Sequence, residues 1–548
     1  MQKKNGRQKN LIAQGGIMAV AVLFAGLCMI LKQVPLTNMV KDRGNSVYAT
    51  CYELFLVLWL LSAYGIPCAA APMMQARIRQ GQYRNADKIV KVSLCYAIVT
   101  GLLGTACMVF AGQYVAGQLL LEPLAGFAML FAAPALLLSS LSGVLRGYFR
   151  GNGSAVPTAY SMIIESVIML AAGFAGAKLM ADYGAKAGAL LQNDQYEGAF
   201  GVAGFMIGIS AGALLSFLFL LFLFFVSRSY FKQQSKRDGG RRTESISECF
   251  CGFLLLILPV ILYGLFFRGY LFVDQIIFCR CMDGSLSASD ISSQWGIYYG
   301  KYKVLTSIPI VLAVSMSCAL SAKVHALQKR EIYQHLRDHV SLVLHGVMVV
   351  VIPLSIMIGA LAKPILRTLY HGQDPEFPAE LLLAGCISAI LFSAAFLMAE
   401  TLRGLKKTKI ILLCGAVSLA IHIGSLYLLL EILHLDVSGV LYADIIYAFA
   451  LCISLGATVQ KGCHMRYSLL VRQIPCLIAG AVTGVILFLL TMAFGNALQD
   501  IMLLPVVAVG FLIYWIILLL CKGVTREELQ CLPGGSLIER AAVLCRLM

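Results

Sequence analysis

Residues 11–31, LIAQGGIMAVAVLFAGLCMIL, run for twenty-one positions without a charged side chain. At 1.5 Å of rise per residue, a helix of that length spans roughly 30 Å, the thickness of a bilayer's hydrocarbon core. The run is too long for the apolar segment of a signal peptide and has no clear small-residue cleavage site, so it reads as a retained first span. Working outward, further apolar runs cover residues 47–71, 92–111, 119–145, 156–177, 198–226, 249–278, 295–322, 340–358, 381–402, 410–430, 437–459, 474–493 and 502–521. Of 548 residues, 59% are hydrophobic and 13% are charged, against about a quarter charged in a soluble protein. The expected fold class is an all-α polytopic membrane protein with about 14 transmembrane helices.

A net charge of +16 raises the question of nucleic acid, but the basic residues lie between spans and form no aromatic-interleaved patch. With a cytoplasmic amino terminus, the inner segments hold 32 Lys and Arg and the outer loops 7, alternating loop by loop. That bias follows the positive-inside rule and implies an even number of spans with both termini in the cytoplasm. The 18 cysteines are scattered, mostly within apolar runs and without C-x-x-C spacing, and read as small buried hydrophobes.

Short echoes suggest a duplication. Leu145-Arg146-Gly147 in span 4 returns as Leu402-Arg403-Gly404 in span 10, and Gly65-Ile66-Pro67 in span 2 as Ser307-Ile308-Pro309 in span 8. The shared offset of six spans predicts two six-helix lobes plus two C-terminal helices. The expected organisation is a first lobe at 1–227, a basic linker at 228–248, a second lobe at 249–460, spans 13 and 14 at 461–522, and a cytoplasmic amphipathic tail at 523–548. The linker contains RSYFKQQSKRDGGRR at 228–242, and the tail opens on a capping-box pattern, Thr525 to Glu528.

Four basic residues remain within or at the edge of spans: Lys32, Arg268, Lys301 and Lys303. A cation buried in a membrane costs several kcal/mol or more, so it normally faces a cavity, water or a carboxylate. These four are the candidate anion-binding residues. Pro35 follows Lys32 closely and predicts a kink in span 1 near that charge. Snorkelling to an interface is the structural alternative for Lys32, Lys301 and Lys303. Among the acidic residues in spans (Glu53, Glu165, Asp274, Glu400 and Asp444), Glu165 and Asp274 are candidates for coupling or gating, and Asp274 stands nearly two helical turns after Arg268. His345 and His422 are isolated in the sequence and read as packed rather than as metal ligands. No Walker A, G-x-S-x-G or H-E-x-x-H motif occurs in a fitting context, and no sizeable loop offers a catalytic acidic motif, so an enzyme is not expected. No cofactor is expected; coupling to the membrane potential, Na+ or H+ stays open.

Four segments carry a family resemblance: ILKQVPLTNMVKDRGNSVY at 30–48, RGYFRGNGSAVPTAYSMIIE at 146–165, FVDQIIFCR at 272–280 and TREELQCLP at 525–533. Together they resemble the stage V sporulation protein B family, related to the MurJ lipid II flippases of the MOP (multidrug/oligosaccharidyl-lipid/polysaccharide) exporter superfamily. The most specific piece is held by Arg146, Gly147, Tyr148, Phe149, Gly151, Gly153, Pro157, Thr158 and Ala159. The resemblance implies two six-helix lobes about a central cavity whose basic residues receive the pyrophosphate of a lipid-linked saccharide, with two extra helices forming a lipid-facing groove. Lys32 stands at the family's basic position before Pro-Leu-Thr; Arg268, Lys301 and Lys303 are candidates from burial alone. The sequence departs from the family after Pro157-Thr158-Ala159 and again at Ala71-Pro72-Met73-Met74, which leaves the substrate open.

The function this implies is a flippase for an undecaprenyl-pyrophosphate-linked saccharide, with membrane lipids and cell-wall synthesis proteins as partners and no nucleic acid. A cation-coupled multidrug antiporter of the same superfamily would need an acidic cavity, and a non-transporting scaffold would be indifferent to loss of the four cations.

Overall fold

The computed structural model describes residues 2–235, 243–329, 332–464, 471–494, 502–525 and 528. The central part of the basic linker and most of the amphipathic tail lie outside the described residues. Within them the chain is helical, without a strand, and packs as two compact units, Met1–Gly300 and Lys301–Met548. This division falls inside a π-helical turn, Tyr298–Lys303, whereas the duplication places its lobe boundary in the linker.

Unit 1 contains α1 (Gln2–Leu31), α2 (Gln33–Trp59), α3 (Ile66–Arg79), α4 (Tyr83–Ala106), the single turn α5 (Gly112–Tyr114), α6 (Ala125–Gly151), α7 (Val156–Leu191), α8 (Gln195–Ser235), α9 (Ile246–Arg268), α10 (Tyr270–Met282) and α11 (Ala288–Ile297). Unit 2 contains α12 (Val304–Gln328), α13 (Tyr333–Ala360), α14 (Ala362–Leu369), α15 (Glu376–Gly404), α16 (Thr408–Tyr427), α17 (Val437–Gly462), α18 (Ile474–Phe494) and α19 (Leu503–Leu520).

Twelve described helical stretches are long and apolar enough to cross a bilayer. The first, Gly16–Arg79, has 64 residues, about twice what one crossing needs. Its chain reverses at Lys41, whose φ of 59° and ψ of −171° interrupt the helix, so it supplies two crossings. Helix α12, uncharged from Val304 to Ala322, is a further apolar helix, which brings the total to about fourteen. The chain is a multi-pass membrane protein.

The helix is interrupted at Lys32, between α1 and α2 and near Pro35 as expected, although the backbone there keeps φ of −63° and ψ of −33° and the Leu36 amide donates to the Lys32 carbonyl at 3.1 Å; the chain reverses at Lys41. One expected detail differs. Span 249–278 is two helices. They meet at Gly269, whose amide donates to Gly264 O and Leu265 O where α9 ends.

Small residues bring the helices together where lipid offers no hydrophobic drive for association. In the α7/α8 hairpin, a Cβ on Gly204 would lie 2.1 Å from the Gly176 carbonyl oxygen, and one on Gly208 would lie 2.3 Å from the Gly173 Cα. The duplicated Leu-Arg-Gly motifs make the same kind of contact in each unit. Gly147 packs on Pro67 and Ala70 of α3, and Gly404 packs on Ser321 and Val324 of α12, so each glycine lets its helix approach an earlier span closely.

Candidate functional site

Lys32 is the most enclosed cation of unit 1, with 3% exposure. It leaves the helix end between α1 and α2 and points into the unit, where its ammonium donates to the Tyr48 hydroxyl. The same nitrogen lies 4.6 Å from the Tyr52 ring centroid, 4.9 Å from that of Tyr48 and 5.6 Å from that of Phe205. Tyr48 and Tyr52, one helical turn apart on α2, stack at 5.5 Å and so present adjacent π faces. Ring faces attract a desolvated cation by about 2 kcal/mol or more, which offsets part of the burial cost. Beyond the cage lies Glu53, buried, with its carboxylate accepting from the Tyr299 hydroxyl at 2.9 Å and close enough to act on the Lys32 charge. Lys32 therefore does not snorkel; its sequence alternative is not what the fold adopts.

Arg268 ends α9 at the Gly269 break and is exposed, its guanidinium 6.0 Å from the Tyr64 ring centroid. Arg268 and Glu165 both lie within electrostatic reach of the Tyr52 hydroxyl, which ties them to the surroundings of Lys32. Asp274 is fully buried on α10, beyond the Gly269 break, so the two-turn spacing that linked it to Arg268 does not run along one helix.

The run 146–159 is a helix–turn–helix with a polar clamp. Arg146 on α6 donates from Nε to Ser161 Oγ at 3.0 Å, and from Nη2 to Glu165 Oε2 at 2.5 Å and to Ser216 Oγ at 3.0 Å, joining α6, α7 and α8. Gly147 and Gly151 face α3, Tyr148 and Phe149 are buried, and Tyr148 packs edge-on to Phe224. Gly153, at φ 92°, turns the chain in the left-handed region that glycine tolerates. Pro157 opens α7, and the buried Thr158 hydroxyl donates to the Arg146 carbonyl at 3.5 Å. Sequence reasoning singled out Arg146 and Glu165 separately and missed their pairing; nineteen positions apart on different helices, they share no periodicity that would reveal it.

In unit 2, Lys301 is 1% exposed with its ammonium 5.8 Å from the Tyr370 ring centroid. Lys303 is held differently: its ammonium pairs with the carboxylate of Asp444, fully buried on α17, beside the rings of Phe392 and Tyr302. The π-helical turn 298–303 widens the helix here, a feature often found at functional positions. His422 is not isolated in space, because its ring lies 5.0 Å from that of Tyr447 and a ring nitrogen lies within 4.8 Å of the Asp444 carboxylate. Its Nδ1 faces the Ala443 carbonyl at 3.0 Å. His345 fits the packed reading: its ring nitrogens face Gln473 Oε1 at 3.2 Å and the Gly523 carbonyl at 2.9 Å. At the start of the tail, the Glu528 carboxylate accepts from the Thr525 amide at 2.9 Å, one half of the expected capping box, and pairs with Arg472.

Each unit thus encloses a lysine at membrane depth, and the candidates divide into Lys32, Arg268, Glu165 and Asp274 in unit 1 and Lys301 and Lys303 in unit 2. Such an arrangement can attract an anion, bind a small cation at the carboxylates, or serve packing alone.

No protein-family model matches the chain. It is 22% identical over 475 residues to the lipid II flippase MurJ of Bacillus subtilis, covering 82% of this chain and 83% of that protein. It is 23% identical over 312 residues to stage V sporulation protein B of Bacillus subtilis, a match that spans only about half of either chain, 56% of each. Among solved structures, a lipid II flippase MurJ in an inward closed conformation superposes with a TM-score of 0.63 at 14% identity, over 91% of this chain and 97% of that one. An inward-facing multidrug resistance MATE family transporter also gives 0.63 at 14% identity, over 82% and 100%. The names of two of these proteins state an activity, a lipid II flippase and a multidrug transporter. The chain is therefore a polytopic membrane homologue of stage V sporulation protein B and the lipid II flippase MurJ, with the fold of the MOP superfamily.

Proposed function

We propose that this chain is a flippase that moves an undecaprenyl-pyrophosphate-linked saccharide, most simply lipid II, from the inner to the outer leaflet of the bacterial plasma membrane by alternating access, for peptidoglycan or related cell-wall polysaccharide synthesis. The observation that carries the reading is the Lys32 cage. An ammonium inside the membrane whose direct partners are a hydroxyl and three rings can exchange them for an incoming anion without displacing a carboxylate in contact with it. It occurs in a chain that aligns over 82% of its length with a lipid II flippase.

In this mechanism Arg268, already exposed, meets the pyrophosphate first, and Lys32 exchanges Tyr48 for a phosphate oxygen, a charge-assisted bond about twice as strong as a neutral one. Lys301 and Lys303 are the candidate anion-binding cations of unit 2. The Arg146–Glu165 clamp and Asp274 are gating or coupling groups, and the isoprenoid stays in lipid near α18 and α19. Both termini face the cytoplasm, as the charge distribution supports. With the cell interior negative, exporting two negative charges is favoured by about 4.6 kcal/mol per 100 mV, less any protein charge that moves back on reset.

The test is rescue of cells depleted of their lipid II flippase by the wild type and by Lys32→Ala and Arg268→Ala at matched expression. Rescue by the wild type alone supports the reading. Equal rescue by all three removes the two cations from it, and no rescue points to another substrate. A second reading, a cation-coupled multidrug antiporter, draws on the equal fold match to the MATE transporter and on the Asp444 carboxylate that neutralises Lys303. It expects drug resistance to rise in cells that show no rescue.

A further inference from the structure

The loop between α5 and α6 carries one carboxylate that the proposed transport path does not use. Glu122 is 8% exposed, and among the described residues its Oε1 has no hydrogen-bond partner. The hydroxyls of Ser46 on α2 and Ser292 on α11 reach the same carboxyl group. The loop is tightly built: Leu121 has φ of 55°, the Glu122 amide donates to the Ala116 carbonyl at 2.8 Å, and Cys279 Sγ and Arg280 Nη2 of α10 donate to the Leu120 and Gln118 carbonyls. On the proposed topology, these elements form the outer end of unit 1.

That end is shut by direct backbone packing. A Cβ on Gly296 would lie 1.8 Å from the Asp42 carbonyl oxygen, and one on Gly300 would lie 2.3 Å from Asn45 Nδ2. Nearby, Arg43 of α2 donates to Ser289 of α11. Trp295 is completely buried and stacks on Phe278 of α10 at 5.5 Å. Glu122 thus joins α2, α11 and its own loop, and a carboxyl so placed is held without a cation in contact.

We propose that Glu122 is a proton-operated latch: protonated from the outer compartment it stays buried and holds α11 against α2, and on losing its proton to outer water it releases this outer gate. The charged and titratable groups facing it are Arg43 from α2 and Cys279 from α10, with Arg280 and Asp283 flanking that cysteine; Asp290 of α11 is exposed, and the loop itself contributes none. Burial holds the Glu122 carboxyl above its ordinary range, against the smaller downward pull of Ser292, Ser46 and Arg43. The sign follows: a carboxyl raised in the closed state stabilises that state at low pH, and the stabilisation is lost as pH rises through the raised value. Acid outside therefore favours the closed outer gate. Only the word "outer" depends on the proposed topology.

The experiment is hydrogen exchange of the purified full-length chain at pH 5 and 7.5, corrected for the intrinsic pH dependence of amide exchange, read on peptides covering 286–297 and 115–125. Wild-type protection of these peptides falls several-fold at the higher pH, while peptides from α7 and α8 do not change. Glu122→Gln keeps both peptides protected at both values. Ser292→Ala, which removes a hydroxyl favouring the ionised form, moves the loss of protection to higher pH and serves where Glu122→Gln does not fold. A pH-independent wild type, or an unaltered pH profile in either variant, overturns the latch. Because no lipid substrate is present, failure here leaves the flippase reading to its own rescue test.

Discussion

Lys32 in unit 1 and Lys303 in unit 2 are both cations in membrane-spanning parts of the chain, yet their surroundings differ. Lys32 sits among Tyr48, Tyr52 and Phe205, whereas Lys303 sits against the carboxylate of Asp444. A ring cage lowers the cost of burial without bringing a carboxylate into contact; a carboxylate neutralises the charge as seen from any distance. The first arrangement suits a cation that must later receive an anion. The second suits one that is needed for packing, or that is exposed only when its partner is protonated or displaced.

The contrast can be broken most sharply at Asp444. Asp444→Ala removes the buried carboxylate that pairs with the part-buried Lys303 ammonium and is expected to cost about 3–5 kcal/mol, read as a lower midpoint of thermal unfolding in detergent. The double replacement Lys303→Met with Asp444→Leu restores most of it. Lys32→Met removes a cation that has no carboxylate in contact but leaves Glu53 nearby, and should lower the melting temperature by less than Asp444→Ala while losing rescue of flippase-depleted cells. If Asp444→Ala melts like the wild type, or Lys32→Met melts as low as Asp444→Ala, the two sites are not of different kinds.

Packing gives the next largest effect. Gly204→Ala forces a methyl toward the Gly176 carbonyl oxygen, which is backbone and cannot swing away, and should destabilise by about 1–3 kcal/mol. Arg146→Lys keeps the charge beside Glu165 but loses the planar fork that also reaches Ser161 and Ser216, for a loss of about 1–2 kcal/mol and a wider α6–α7 distance in spin-label measurements. Tyr48→Phe retains the ring face and removes only the hydroxyl that accepts from Lys32, so its cost should stay near 1 kcal/mol, with rescue preserved if the ring cage suffices. The smallest effect belongs to Gly424→Ala on α16, where no atom lies within 4 Å of the new Cβ; a shift of less than about 1 kcal/mol, toward greater stability, is expected.

Much of the fold was legible because the membrane constrains the sequence at short range. Uncharged runs such as 11–31 and the 32 to 7 division of basic residues are linear properties, readable without knowing which helices touch. The limits of that reading are equally local. Pro35 marked the interruption at Lys32, but the chain reverses six residues after the proline, at Lys41, because losing one amide donor does not by itself turn the chain back. Residues 249–278 read as one apolar span because Gly269 carries no charge to signal the break between α9 and α10.

The candidate site was legible in kind and hidden in its partners. Rarity singled out Lys32, Arg268, Lys301 and Lys303, since a cation in an apolar run stands out in any sequence of this composition. The sequence by itself therefore determined the solvent of this protein, the approximate number of its helices and which charges had to find shelter. Only the tertiary structure decided what shelters them: rings for Lys32, a carboxylate for Lys303, and Glu165 with two hydroxyls for Arg146. The reason is that burial cost is a property of a residue and its depth, whereas compensation depends on which helices pack side by side, and that is set by contacts between residues far apart in the chain.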